Sequence, residues 1–169
     1  MSLDAVLTRI DETLPDALER LMALLRIPSI STDPAYKTAC ATAADWLVAD
    51  LQSLGFTASS RATPGHPMVV GHGGTGGRHL LFYGHYDVQP VDPLALWDRD
   101  PFDPEVQDTP QGKVIRARGA SDDKGQLMTF IEACRAWKAA AIAPGSVAAI
   151  FEPLAKANVN VDMIIQNIA

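Results

Sequence analysis

Two cysteines in 169 residues, Cys40 and Cys134, are too few and too far apart for a disulfide framework or a CxxC metal site. Free thiols of this kind suit a reducing compartment, so cytoplasm is the expected location. Basic side chains are scarce too: 14 stand against 20 acidic ones, a net charge of −6 that excludes a nucleic-acid binder held by phosphate contacts. Long hydrophobic runs are missing. The longest low-charge stretch, 139–151, is interrupted by Pro144, Gly145 and Ser146 and falls short of the roughly 20 residues that cross a bilayer. The opening MSLDAVLTRIDETL carries Asp4, Asp11 and Glu12 inside its apolar spacing, so it lacks the basic start and unbroken apolar centre of a signal peptide. Neither nucleic acid nor a membrane is expected as a partner.

What is present, 47% hydrophobic and 20% charged residues with 12 Gly and 12 Pro, matches a folded, mildly acidic globular chain. Leu3, Val6, Leu7 and Ile10, then Leu18, Leu21, Met22 and Leu25, recur at helical spacing, with Pro15 either opening a second helix or kinking one. A further helix is expected from about Thr38 to Leu54, stopped by Gly55. Short runs at 56–60, 68–70 and 80–83 read as strands. A Pro- and Asp-rich loop with Trp97 and Phe102 leads to a strand near 113–116 and a helix from about Lys124 to Ala141. This order predicts a layered α/β domain.

Three stretches bear on chemistry. GHGGTG at 71–76 fits G-x-G-x-x-G, but HLLFYGH after it reads as a strand, so no helix N-terminus would face a pyrophosphate and a loop between strands is expected. FYGHYDVQP delivers His85 and Asp87 two residues apart at a strand's C-terminal end, on one face, where a carboxylate can orient the imidazole beside a metal. RGASDDKGQ puts Asp122 and Asp123 on a turn into a helix, where negative charge is favourable and simple capping is the alternative role.

At these residues the sequence resembles the co-catalytic zinc peptidase family of carnosinase-type dipeptidases, aminoacylases, acetylornithine deacetylase and succinyl-diaminopimelate desuccinylase. The resemblance covers about 1–139: LLRIPSIS, the LxxLGF ending of the second helix, HPMVVG, FYGHYDVQPVDPLALWDRDPF and ARGASDDKGQ all read like its dipeptidase branch. It implies a partial three-layer αβα catalytic domain in which His85 is a zinc ligand and Asp122 the carboxylate bridging two zinc ions. It makes Asp87 the residue that positions His85 for catalysis. Asp123 would follow Asp122 across a cis peptide bond, and the ligand would be a dipeptide or a similar amino-acid-like molecule.

Family members need more: a glutamate cluster after the next strand supplies the general base and another ligand, and a later acid and histidine complete the paired site. Here AIFE at 149–152 continues into PLAKANVNVDMIIQNIA, so Glu152 matches at best the first acid of that cluster, and no histidine follows His85. One histidine and a few aspartates cannot complete a two-zinc cage. Little or no peptidase activity and at most a residual metal site are the expectation.

The tail, about 144–169, resembles the first helix and second strand of the regulatory ACT domain of aspartate kinase. That implies effector contacts near Asn158, Asp162, Gln166 or Asn167, whereas the simpler expectation for 161–168 is a strand joining a free sheet edge. Val147, Ile150, Phe151 and Leu154 favour a helix over 146–154, which would deny Glu152 a place in the sheet. The chain therefore divides at 143/144 into a peptidase-like unit and a helix-strand addition, as in a chimera, a shortened gene or a designed sequence. An alternative function follows: a non-enzymatic interaction module whose exposed sheet edge is covered by a homo-oligomer or a protein partner.

Overall fold

The computed structural model describes residues 2–74, 78–141 and 159–166. The segment 142–158, with the expected 146–154 helix, Glu152, Asn158 and the 143/144 division, lies outside the described residues, as does Asn167.

The chain opens with α1 (Leu3–Leu25), whose start is capped by the Ser2 side chain accepting from the Ala5 N–H. Pro15 sits inside this single helix rather than opening another. After a short linker comes α2 (Lys37–Ser53), ended at Gly55, which takes the left-handed φ of +85° that only glycine adopts without strain. Strands β1 (Thr57–Arg61), β2 (Met68–Gly73) and β3 (Arg78–His85) follow. A hairpin of β4 (Glu105–Thr109) and β5 (Gly112–Arg116), its turn using Gly112 at φ +115°, lies beyond the Pro-rich loop. Then come α3 (Lys124–Ala141) and β6 (Val159–Gln166).

The main sheet has the order β1-β2-β6-β3. Strand β6 runs antiparallel to β2 and parallel to β3, so the tail strand enters the sheet between two others instead of joining a free edge. The free-edge expectation fails because Met163 and Ile165 are fully buried, and interior placement removes more apolar surface from water than an edge position would. For the same reason β2 and β3, joined in sequence by the glycine-rich loop, are not neighbours.

One apolar cluster holds the layers together. Leu24 of α1, Leu47 and Leu51 of α2 and Leu127 and Ile131 of α3 meet Val69, Met163 and Ile165 of the sheet, with Phe82 stacked on Phe130 at 3.8 Å between ring centroids. Gly71 lies where a Cβ would stand 3.2 Å from Leu51 and 3.8 Å from Met163, which puts α2 on the same sheet face as α3. Helices α2 and α3 therefore lie on one face of the mixed sheet with α1 packed on α3, the helix layer that the described residues supply to the expected partial αβα domain. The other face presents Leu81 and Tyr83, 60% and 52% exposed.

Candidate metal centre

Strand β3 ends at His85, and the chain passes through Tyr86 and Asp87 into the loop. The turn before α3 brings Asp122 and Asp123, joined by a cis peptide bond as the resemblance implied, against that strand end. Two glycines permit the approach. A Cβ on Gly84 would meet Asp123 Oδ2 at 3.2 Å and Leu127 at 3.3 Å, and one on Gly125 would fall 2.0 Å from the Ala120 carbonyl oxygen. Asp123 Oδ2 accepts the His85 backbone N–H at 3.0 Å, tying turn to strand.

His85, Asp122 and Asp123 each offer a donor atom within 4.8 Å of the others. His85 Nε2 lies 3.1 Å from Asp122 Oδ1, while His85 Nδ1 lies 3.1 Å from both the backbone oxygen and Oδ1 of Asp87. Both neighbours of Nδ1 are acceptors, so Nδ1 must carry the proton and donate it. In the neutral ring that leaves the Nε2 lone pair aimed at a carboxylate oxygen, an arrangement that needs a proton or a cation between the two. The separation of 3.1 Å is near the distance of about 3.3 Å between donors of a tetrahedral zinc with bonds of about 2.0–2.1 Å. The residues present fit a divalent metal.

Asp87 is buried behind the ring, and its second oxygen, Oδ2, accepts from the Ser31 hydroxyl at 2.6 Å. A cleft of about 340 Å³ opens in front, lined by Ser31, Thr32, His85, Asp87 and Asp122 among others. The Asp122 side chain is 80% exposed there, beside the N-terminus of α3, whose dipole favours its negative charge. One imidazole and two carboxylates can hold a single ion with open positions for water or a substrate oxygen.

The sequence brought forward His85, Asp87, Asp122 and Asp123, and these four meet. It passed over Ser31 and Lys124. Lys124 is fully buried, donates to the carbonyl oxygens of Leu24 at 3.0 Å and Ile27 at 2.6 Å, and is pushed down to about 7 by burial, against the pull of Cys40 and Asp87. The alternation of Ser29 and Ser31 behind Pro28 was the available signal for the serine. Nothing local in the sequence marks Lys124 as buried.

A strand-end histidine facing a helix-start aspartate pair on an α/β layer is an arrangement able to hold a metal ion. A model of Peptidase family M20/M25/M40 matches residues 81–154. A succinyl-diaminopimelate desuccinylase of Methylocella silvestris is 38% identical over 128 residues, covering 73% of this chain and 30% of the relative. A Cys-Gly metallodipeptidase of Schizosaccharomyces pombe is 33% identical over 150 residues, covering 82% and 31%. The solved structure of the di-peptidase Dug1p from Saccharomyces cerevisiae superposes with a TM-score of 0.79 at 26% identity, over 98% of this chain and 34% of that one. Human carnosine dipeptidase 1, at 24% identity and a TM-score of 0.77, has the same fold. These matches support the M20 peptidase family for the N-terminal part of the chain. The chain spans about a third of the length of the curated relatives it matches.

Proposed function

We propose that this chain carries a single-ion zinc site of M20 type, with His85 and Asp122 as ligands and Asp87 holding the His85 ring, and that by itself it hydrolyses dipeptides little or not at all. The observation that carries the site is the gathering of His85, Asp122 and Asp123 donor atoms within 4.8 Å, with His85 Nε2 and Asp122 Oδ1 3.1 Å apart, a pair that takes either a proton or a cation between them. Zinc bound there would supply a Lewis acid and an acidified water, and the ligand would be a dipeptide or a similar amino-acid-like molecule. Low turnover is supported by the sheet: in register with His85 on the parallel neighbour stands Gln166, an amide that cannot act as a general base.

Metal analysis of dialysed protein tests the site. We expect bound zinc in the wild type, reduced in His85→Ala and Asp122→Ala; equal retention by all three would sink the assignment. Affinity should also fall as pH falls, because protons compete for the same imidazole and carboxylate lone pairs. Turnover of unblocked dipeptides with added zinc, abolished by Asp122→Ala, would overturn the low-activity part.

A second reading, an interaction module, draws on the exposed Leu81 and Tyr83 of β3, whose outer edge has no partner among the described residues. It includes a peptidase-like unit over 1–143 joined, as in a chimera, to an ACT-like fragment over 144–169, and a homo-oligomer or protein partner on that surface. It requires that Leu81→Lys with Tyr83→Lys, which leaves the buried β6 in place, alter oligomeric state by light scattering while His85→Ala does not. The reverse dependence would end it.

A further inference from the structure

The linker between α1 and α2 runs against the loop that follows β3, and the two are laced together. The Ser29 hydroxyl donates to the Tyr86 carbonyl at 2.7 Å, the Val88 N–H donates to the Ser29 carbonyl at 3.0 Å, and Ile30 forms a parallel bridge with Val88. The last two join backbone to backbone and the first joins a hydroxyl to a backbone carbonyl, so none of them reaches a side chain of the site. Ser31 differs, because its hydroxyl donates at 2.6 Å to Asp87 Oδ2, the carboxylate oxygen left over once Oδ1 has taken the His85 Nδ1–H. Ser31 is itself fixed: it is buried, and its carbonyl oxygen lies 2.8 Å from His66 Nε2.

A carboxylate held through one oxygen can still rotate about its side-chain bonds, whereas one held through both oxygens from opposite sides cannot. We propose that Ser31 is a positioning residue: by pinning Asp87 Oδ2 it fixes the plane of the Asp87 carboxylate, and through it the tautomer and orientation of the His85 ring. The inference deepens the proposed metal site and rests on that reading for its effect on metal affinity. Its effect on the ring proton needs no metal. Outer partners of metal-binding histidines alter metal affinity by about 10–100-fold when removed, and Ser31 stands one bond further out than Asp87, so the low end of that range applies.

The test uses the whole chain with Ser31→Ala, the near-isosteric weak donor Ser31→Cys, and Ser31→Thr, which keeps the hydroxyl. Nitrogen-15 NMR of metal-free protein at fixed pH follows the His85 Nδ1–H resonance and its exchange with water. Cobalt(II) titration then follows the visible bands and the affinity. We expect the alanine and cysteine variants to lose or broaden the ring-proton signal, to bind cobalt about tenfold more weakly and to show altered band positions, with threonine restoring all three. In an Asp87→Asn background, Ser31→Ala should add nothing, since the hydroxyl would act only through that carboxylate. Folded Ser31→Ala or Ser31→Cys protein with the wild-type ring-proton signal overturns the proposal. If the wild type binds no cobalt, the metal reading fails, and the ring-proton comparison still decides the role of Ser31.

Discussion

Lys124 is an ammonium-bearing side chain with no exposed surface, next in sequence to the aspartate pair and donating to two carbonyl oxygens near the end of α1. Burial disfavours the charged form, so the group titrates at about 7 in the folded chain against an ordinary 10.5. Between those two values the unfolded state binds the extra proton, so stability rises with pH across that window and the cost of the buried charge is present in full below it. Denaturant midpoints of the wild type and Lys124→Met should therefore diverge from pH 7 to 10, the wild type gaining a few kcal/mol relative to the variant. A difference that stays flat with pH would show that the buried amine is not neutralised in this range. At this scale the sequence was legible for His85, Asp87, Asp122 and Asp123, since strand alternation and a helix start place them whatever the distant contacts. It was not legible for Lys124, whose burial depends on the end of α1 lying over the α3 start.

Between elements, a chain of charges fastens the helix layer. Arg20 of α1 makes a two-point contact with Glu132 of α3, at 2.6 and 2.7 Å, and Arg135 of α3 reaches both Glu132 and Asp50 of α2. These groups are partly shielded from water, and burial pushes the Asp50 carboxyl up despite the neighbouring Arg135. Bidentate arginine pairs out of water are stronger than surface ion pairs, and removing one member strands its partners. Glu132→Ala should accordingly cost about 2–3 kcal/mol, read from urea unfolding. A loss below half a kcal/mol would mean that the network is solvated in solution. The helices themselves were expected from periodicity, and α3 has the expected limits. The β4 strand was hidden within the Pro- and Asp-rich segment, because its residues alternate between exposed and half-buried and pair with β5 alone among the described strands.

For the whole molecule, the decisive contact is β6 between β2 and β3. Its Met163 and Ile165 are fully buried in the same cluster as Leu51 and Leu127, although the strand comes from the far end of the chain. Met163→Asp should therefore unfold the protein or cost about 4 kcal/mol or more, since an unpaired carboxylate would enter the core. Far-ultraviolet dichroism in urea would read the loss; a wild-type midpoint would mean that the sheet stands without its third strand. The opposite face makes a second demand. Replacing Leu81 and Tyr83, both more than half exposed, with lysine should reduce any concentration-dependent association seen by light scattering. Unchanged association would place the contact elsewhere.

The sequence by itself determined the helices α1, α2 and α3, the strand that ends in His85, and the placement of His85 and Asp87 at a strand end and of Asp122 and Asp123 ahead of a helix. Each of these depends on local rules: a repeat of 3.6 or 2, a glycine stop, a turn ahead of a helix start. Only the tertiary structure decided that the tail strand lies inside the sheet, that Gln166 stands in register with His85, and that Ser31 and Lys124 reach across from or toward the α1–α2 linker. Those outcomes depend on which apolar faces and polar atoms meet over separations of 50 to 100 residues. No window along the chain contains both partners, so pairing is selected only when the whole core closes.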